Sequence, residues 1–486
     1  LFIKSFSSGD VLLIMDIFAV ILAAGLGTRM KSKYSKVLFE LAGEPMISHV
    51  IRAVRGIGPS KIIVVVGHSK ELVIESIKKY HGDFSGFEFV TQNEQKGTGH
   101  AVMQAREALA GCGGASFVLC GDTPLLTPRL LENLLESYKK GDNAAAVLTT
   151  IIAKPQGYGR IVRSAAGNVA AIVEERDAGM EIKKIDEINT GVYVFSTPKL
   201  LEALDKLDNN NDQKEYYLTD TVSILNSAAS SVAACFEDDS SLTAGINNRY
   251  ELAAAGRALC MRINKTHMIN GVTITAPDNT YIDAGVEIET DVTIHPGTYI
   301  HGRTKISSGS IIGPQTYLSD STVLDNAKVF YSVVENSEVG RGAVVGPYSH
   351  LRPGTKLCDN VHIGNFVEVK KSAIGEGSKA NHLAYIGDAE IGSECNIGAG
   401  AITCNYDGVN KNKTVIGNGA FIGSNSSLVA PVIIGEGALV AAGSVVNKNV
   451  APGSLAIARS VLVIKEGYMK KRTVKKEDKN QKTTGA

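Results

Sequence analysis

From residue 282 to residue 330 a large apolar residue stands at every sixth position: Ile282, Ile288, Ile294, Ile300, Ile306, Ile312, Leu318, Leu324 and Phe330. A period of six fits neither a helix, which repeats every 3.6 residues, nor a single strand, which alternates every 2. It counts one side of a coil. Each hexapeptide makes a short strand and a corner, three of them close a turn, and the sixth residue points inward onto its equivalents in the turns above and below. The pattern returns in shifted phase at Val339, Val345, Leu351, Leu357, Ile363 and Val369, and again at Ile416, Ile422, Leu428, Ile434, Val440 and Val446. The expectation is a parallel β-helix over residues 268–460, in which the slips of the count need a separate explanation.

The rest of the chain is built differently. Residues 17–246 alternate β-branched runs with helical patterns, which predicts a mostly parallel sheet covered by helices on both faces. Strands are expected at Phe18–Leu22, Lys61–Val66, Phe87–Thr91 and Ser116–Cys120, and helices at Met46–Val54, Glu71–Lys79, His100–Leu109 and Pro128–Lys140. The Ala-, Arg- and Leu-rich run within 247–267 reads as one linker helix between the two architectures. Residues 1–16 read as an N-terminal extension without fixed structure, and Met15 is a candidate natural start. Residues 461–486 form a basic tail without periodicity, read as solvated, with docking onto a neighbouring subunit as the alternative.

Composition excludes several classes. Lys plus Arg and Asp plus Glu are both 50, so no net field recruits nucleic acid or a membrane surface. No run of about 18 apolar residues is present to span a membrane. The seven cysteines (112, 120, 235, 260, 358, 395 and 404) are odd in number and never spaced C-x-x-C, which points to reduced thiols in the cytosol rather than a disulfide frame or zinc site.

The first strand runs directly into Leu22-Ala-Ala-Gly-Leu-Gly-Thr-Arg-Met30. Gly25 and Gly27 allow close backbone approach, so that successive N–H groups can cradle an anion at the strand's carboxyl end. A dinucleotide fold would want a third glycine where Met30 stands and an acidic residue where Gly67 and His68 stand, and no G-x-x-x-x-G-K-[ST] occurs. What remains is a glycine loop followed by two cations, Arg29 and Lys36, suited to a phosphoryl group and a pyrophosphate leaving group. Alone, such a loop is equally a structural turn. Asp122 adds a carboxylate on the same rim of the sheet, where Mg²⁺ could bridge phosphate oxygens.

These motifs, with Gln92, Gly97-Thr98-Gly99-His100, Gly121-Asp122, Gly157-Tyr158-Gly159-Arg160, Glu174, Asn189-Thr190-Gly191 and Gly245-Ile246-Asn247-Asn248-Arg249, resemble those of the sugar-1-phosphate nucleotidyltransferases. More narrowly, residues 17–468 resemble the bacterial family of bifunctional N-acetylglucosamine-1-phosphate uridyltransferases and glucosamine-1-phosphate acetyltransferases. The resemblance implies that Arg29 and Lys36 are catalytic and stabilise the triphosphate, and that Asp122 and Asn247 hold Mg²⁺. Leu22, Ala23, Gly25, Lys36, Gln92, Gly97 and Thr98 would bind UTP; Gly159, Glu174, Asn189 and Asn247 would bind the UDP-sugar side. One departure is Ser35, where many relatives carry proline before the lysine.

A β-helix can be a spacer and nothing more. Against that stands the slip between Ile397 and Ile416, where Thr403 to Lys413 carries no repeat pattern and reads as a loop extruded from a corner. Near it lie polar residues that a structural coil does not require. His382 taken alone is more often a surface or satisfied histidine than a base. The motifs LRPG (351–354), GNFVEVKK (364–371), KANHLAYIGD (379–388), NIGAGAITCNYDG (396–408) and FIGSNSSLVAP (421–431) resemble the acetyltransferase half of the same family. The resemblance implies His382 as general base, Arg352 and Lys370 on the phosphate, and Tyr385, Asn396 and Asn405 orienting glucosamine 1-phosphate. Ala399, Asn405, Tyr406, Ser424, Ala442 and Arg459 would contact acetyl-CoA. It also implies a left-handed coil and a cytoplasmic homotrimer. The rival expectations are a nucleotidyltransferase with a purely structural coil and a non-catalytic assembly protein.

Overall fold

The computed structural model describes residues 15–25, 27–82 and 85–483. The expected extension over residues 1–16 lies outside them as far as residue 14, whereas Met15 packs against the first core and Asp16 O accepts from Ala115 N at 2.9 Å, so these two belong to the fold. The described residues divide into two compact units, one ending at Thr266 and taking back Tyr281–Gly285, the other made of His267–Thr280 and the chain from Val286 on.

The first unit is a nucleotidyltransferase-type α/β fold. Its sheet runs in the order Ser231–Phe236, Asn143–Ile151, Glu187–Ser196, Ala115–Cys120, Ile17–Ala23, Lys61–Val66, Phe87–Thr91. Ile17–Ala23 is parallel to both neighbours, whereas Glu187–Ser196 is antiparallel to all three of its own, Ala115–Cys120, Asn143–Ile151 and Arg160–Arg163. The sheet is therefore mixed. Central strands are apolar without a break because both faces are covered. In the first strand Ala19 and Ile21 face a core with helix Met46–Arg55, while Phe18 and Val20 face one with helices Thr98–Met103 and Thr197–Leu204. Helix Pro128–Lys139 starts where its sequence says it should: proline sits in the first turn and Thr127 Oγ1 accepts from Leu130 N at 3.2 Å. The expected helix His100–Leu109 is instead two, Thr98–Met103 and Arg106–Leu109, separated at Gln104 and Ala105.

The chain leaves the first strand toward Lys61–Val66 on one side and later returns as Ala115–Cys120 on the other. Beyond the carboxyl ends of strands at such a reversal an open α/β sheet leaves a crevice.

The helix Arg249–Ile269 begins in a capping box. Asn248 Oδ1 accepts from Glu251 N at 3.0 Å, and Glu251 returns its carboxylate to the Asn248 amide and to Asn247 N, the latter at 2.7 Å.

The second unit is a parallel β-helix of three ladders, in which each short strand pairs with the one three strands later. Inward residues from Val339 to Val369 and from Ile416 to Val446 stack as the period requires, all nearly inaccessible. Each such aliphatic side chain contributes about 1.5–3 kcal/mol by leaving water. Two expectations of the first run fail. Leu324 and Phe330 are only half-buried, and the inward places belong to Val323 and Val329. The corner at Asp320, in the left-handed region at φ 47°, closes one residue early, and the register pairs Ile306 with Val323.

The extruded loop also begins later than expected. Thr403 lies in strand Ile402–Cys404 and takes an inward place, stacked on Leu428. Its Oγ1 accepts from Gly387 N at 2.7 Å and donates to Gly387 O at 3.0 Å, which explains how a polar residue fills an apolar position. Residues 405–413 alone leave the coil before strand Thr414–Ile416 resumes it. The tail holds one helix, Tyr468–Thr483, whose side chains are exposed over residues 468–476.

Candidate active sites

The loop after the first strand is shaped by Gly27, which adopts the left-handed conformation (φ 61°) and accepts Met30 N at 2.9 Å to start a short 3₁₀ turn. Met30 is buried and anchors the turn, leaving Arg29 exposed. A Cβ on Gly27 would stand 2.7 Å from Lys36 Cβ, so the glycine is what lets the lysine lie against the loop. Behind them is a cavity of about 430 Å³. Leu22, Ala23, Gly25, Lys36, Gln92, Gly97, Thr98 and Asp122 all line it.

Lys36 Nζ is bonded to the Asp122 carboxylate and lies 3.3 Å from Asn247 Oδ1. Arg29 Nη2 donates to the same Asn247 oxygen at 2.7 Å. Asn247 is oriented for this role, because its Nδ2 donates to Gly245 O at 3.2 Å and so turns the oxygen toward the cations. The four residues expected at the triphosphate and metal thus converge. Asp122 and Asn247 offer two hard oxygen donors with a cationic group already between them. Among the described residues no set of three His, Cys, Asp or Glu could hold a metal. That donor set fits Mg²⁺, which takes one or two protein oxygens and completes its shell from phosphates and water.

The sugar-side residues form a neighbouring group that does not line the cavity. A Cβ on Gly159 would lie 3.5 Å from Glu174 Oε2 and 3.6 Å from Asn189 Cβ, and Asn189 N donates to Gly159 O at 2.9 Å. Burial pushes the Glu174 carboxyl up despite a 3.2 Å hydrogen bond from Thr219 Oγ1. Cys120 links the two groups, lining the cavity with its Sγ 4.0 Å from Gly191 O. Burial, with Asp122 beside it, pushes that thiol up to about 12, so it is an inert wall. Arg160, 1% exposed and paired with Glu175 at 2.7 Å, braces this group; its motif signalled the glycines but not this role.

On the coil the expected residues separate into two sets. His382, Ala399, Ser424 and Ala442 occupy one corner. The ladder pairs Asn365 with His382, Ala380 with Ile397, Ile397 with Ile422 and Ile422 with Val440, which puts the four at equivalent places in successive turns. At about 4.8 Å per turn they span roughly 14 Å. Arg459 extends the column by donating to Ala442 O at 2.9 Å. His382 Nδ1 lies 2.7 Å from Asn365 Oδ1. An amide oxygen only accepts, so Nδ1 carries the ring hydrogen and Nε2 keeps its lone pair for a proton. Asn365 lies inside a quoted motif, yet only the register reveals it as the orienting partner.

The second set lies on the following face. Arg352 N donates to Val369 O at 2.8 Å, beside Lys370, and Lys370 pairs with Gly387. Lys411, on the extruded loop and absent from the expectations, lies against Lys370 and holds its ammonium below the usual range, with desolvation and Arg352 adding to the effect. Such a gathering of cations suits a phosphate. Arg352 is meanwhile paired with Glu368 at 2.9 Å. A Cβ on Gly387 would stand 2.6 Å from Tyr385 Oη and 2.8 Å from Asn405 Nδ2, so hydroxyl and amide meet over the glycine. Asn405 is fixed by Asp388. Tyr406 turns back on its own loop, donating to Gly408 O at 2.6 Å. Asn396 joins neither set; it sits in the ladder between Lys379 and Phe421.

The comparisons with known proteins cover both units. A model of the MobA-like NTP transferase domain matches residues 19–221, and a model of the bacterial transferase hexapeptide matches residues 336–371 and 413–448. Among solved structures, a UDP-glucose pyrophosphorylase complexed with UDP-glucose covers 50% of this chain and 98% of its own at TM-score 0.42 and 19% identity, a likeness too distant to bear on function. The "Bifunctional protein GlmU" of Streptococcus uberis is 50% identical over 457 residues, 94% of this chain and 98% of its own. That of Geobacillus sp. is 48% identical over 459 residues, 94% of this chain and 99% of its own. The chain therefore belongs to the bifunctional GlmU family, the uridyltransferase and acetyltransferase family that its motifs resemble, and its coil is the left-handed hexapeptide β-helix expected of that family.

Proposed function

We propose that the chain makes UDP-N-acetylglucosamine in two steps, one on each unit. On the coil, the amine of glucosamine 1-phosphate attacks the acetyl-CoA thioester carbonyl. His382 Nε2 takes the amine proton, the C–S bond breaks, and the same proton passes from the imidazole to the departing sulfur, so that CoA leaves as the thiol. In the first unit, a phosphate oxygen of N-acetylglucosamine 1-phosphate attacks the α-phosphorus of UTP in line and pyrophosphate departs. No protein nucleophile is needed, because positioning and charge stabilisation carry such a reaction. Arg29 and Lys36 stabilise the charge that builds on the phosphates. Asp122 and Asn247 would hold Mg²⁺, which when bound supplies further charge neutralisation at the phosphoryl oxygens. Gln92, Gly97 and Thr98 would read the base; Gly159, Glu174 and Asn189 would hold the sugar.

The observation that carries the two-step reading is the meeting of Arg352, Lys370 and Lys411 beside Tyr385 and Asn405, chemistry that a purely structural coil has no use for. The working enzyme is a homotrimer in this reading. Within one chain the phosphate group and the His382 column lie on a face and on a corner of the coil, and a second copy alongside would complete the acetyl-transfer site. A column of exposed rings supports this contact: Tyr331, Tyr348 and Phe366, with ring centroids 5.7 and 5.6 Å apart, the first pair tilted and the second stacked, are 39%, 58% and 57% exposed, and Leu383 above them is 61% exposed. All four hold left-handed backbone, at a cost of about 1–3 kcal/mol each. All seven cysteines are free thiols, which supports the cytoplasm as the compartment.

The test is a coupled assay with glucosamine 1-phosphate, acetyl-CoA, UTP and Mg²⁺, leaving out one reactant at a time. Free CoA should appear without UTP, and pyrophosphate only with all present. Pyrophosphate formed without acetyl-CoA, and no CoA release, would mean that the coil is structural.

A further inference from the structure

Arg249 ends the motif Gly245-Ile246-Asn247-Asn248-Arg249, and neither of the two reactions has used it. It is the first residue of the helix Arg249–Ile269, where the helix dipole disfavours a cation. Its side chain is exposed, and among the described residues no carboxylate pairs with it. The guanidinium lies instead over the ring of Phe39, with Cζ 4.8 Å from the ring centroid. A cation set against the dipole and held by an aromatic face serves the ring rather than the helix.

Phe39 belongs to the Lys36 turn. Its N donates to Lys36 O at 3.2 Å and closes the 3₁₀ turn Lys36–Leu38, while its O accepts from Met46 N at 2.9 Å. The half-buried ring packs against a cluster that contains Leu41, Met46 and Ile246. Ile246, one residue before Asn247, belongs to that cluster, and Arg249, two residues after Asn247, covers the ring. Between them Asn247 Oδ1 lies 3.3 Å from Lys36 Nζ and accepts from Arg29 Nη2 at 2.7 Å.

The ammonium of Lys36 is thus placed by Asp122 and Asn247, which come from separate segments. Both contacts loosen when a phosphate takes the ammonium, so they cannot by themselves keep the Lys36 turn in register with the Asn247 segment. The Arg249–Phe39 pair joins the same two segments through a ring that no phosphate claims. Resting on the reading of Lys36 as a cation of uridylyl transfer, we infer that Arg249 is a positioning residue: stacked on Phe39, it holds the Lys36 turn against the Asn247 segment and fixes where the ammonium stands as charge builds on the phosphates. Arg249 touches no substrate; it acts through Phe39.

The experiment is a double-mutant cycle on uridylyl transfer, read as kcat and KM for UTP from pyrophosphate release with N-acetylglucosamine 1-phosphate fixed. Arg249→Met keeps an unbranched stem without the charge, Phe39→Leu removes the ring face and Phe39→Tyr keeps it. Arg249→Met should lower kcat about fivefold and leave KM for UTP within about twofold of the wild type. The same change should cost less than about twofold in the Phe39→Leu background and about fivefold again in the Phe39→Tyr background. Phe39→Met takes the place of the leucine variant if that one does not fold. Wild-type kcat in Arg249→Met, or a full fivefold loss in the background without the ring, overturns the role of Arg249. A loss that appears in KM for UTP with kcat kept also overturns it, because the guanidinium would then bind the triphosphate itself. A Lys36→Met enzyme that keeps the wild-type kcat overturns instead the reading of Lys36 on which the inference rests.

Discussion

Asn365→Leu removes the acceptor beside His382 while keeping the side chain's shape, and the structure sets the size of the effect. The 2.7 Å contact is single and neutral, and His382 is exposed, so the bond is worth about 1 kcal/mol rather than the 2–3 of a charge-assisted one. Without it the ring hydrogen is no longer confined to Nδ1, and part of the enzyme carries it on Nε2, where the amine proton has to go. The expected result is a fall of about five- to tenfold in kcat for acetyl transfer. The assay is the initial rate of CoA thiol release at saturating acetyl-CoA, with pyrophosphate release from UTP and N-acetylglucosamine 1-phosphate as the internal control. The control should not change. Asn365→Asp keeps an acceptor and should retain more acetyl transfer than the leucine variant. Full acetyl transfer in Asn365→Leu, or an equal loss of both activities, would refute the assignment of Nε2 as the base.

Three further outcomes follow from the geometry. Gly27→Ala would place a Cβ 2.7 Å from Lys36 Cβ in a backbone at φ 61°, and should lower uridylyl transfer about a hundredfold with acetyl transfer intact; unchanged uridylyl kinetics would show that Lys36 does not depend on the loop. Thr403→Val, although isosteric, strands Gly387 N inside the coil and should destabilise the second unit by about 1–3 kcal/mol in chemical denaturation, where a neutral result would count against the inward hydrogen bond. Burial, with Arg52 and Arg55 nearby, pushes the His81 imidazole down to about 4. The unfolded chain therefore takes a proton that the folded ring refuses, and stability falls as pH drops from about 6.5 toward 4. The melting temperature of the wild type should decline more steeply than that of His81→Asn between about pH 7 and pH 5, and parallel curves would remove His81 from the account.

What could be read in the sequence was whatever repeats or touches backbone. The six-residue period counts inward side chains, so the ladders from Val339 to Val369 and from Ile416 to Val446 were legible to the residue. The same count misplaced Leu324 and Phe330, because a corner that closes one residue early leaves no trace in a run where valine and leucine stand side by side at 323 and 324. Four strands of the first sheet were legible, Phe18–Leu22, Lys61–Val66, Phe87–Thr91 and Ser116–Cys120, but not Asn143–Ile151, Ser231–Phe236 or Glu187–Ser196, and the antiparallel direction of the last leaves no mark on an apolar strand that reads the same either way. At the sites, glycines and cations announced the phosphate loop. Asn365 and Lys411 did not stand out, because each acts through a partner that is distant in sequence or joined to it only by the register of the coil. Asn365 meets His382 seventeen residues away in the next turn. Lys411 reaches Lys370 from the extruded loop.

The central claim is that two activities sit on two separately built units. The measurement that tests it most directly is the pair of initial rates, CoA release and pyrophosphate release, in Asp122→Ala and His382→Ala, each supplied with its own acceptor sugar phosphate. Asp122→Ala leaves Lys36 with Asn247 alone, and should lower pyrophosphate release at least about a hundredfold while CoA release stays near the wild-type rate. His382→Ala should do the reverse, losing CoA release by about a hundredfold or more and sparing pyrophosphate release. Loss of both activities in either folded variant would contradict the two-site account.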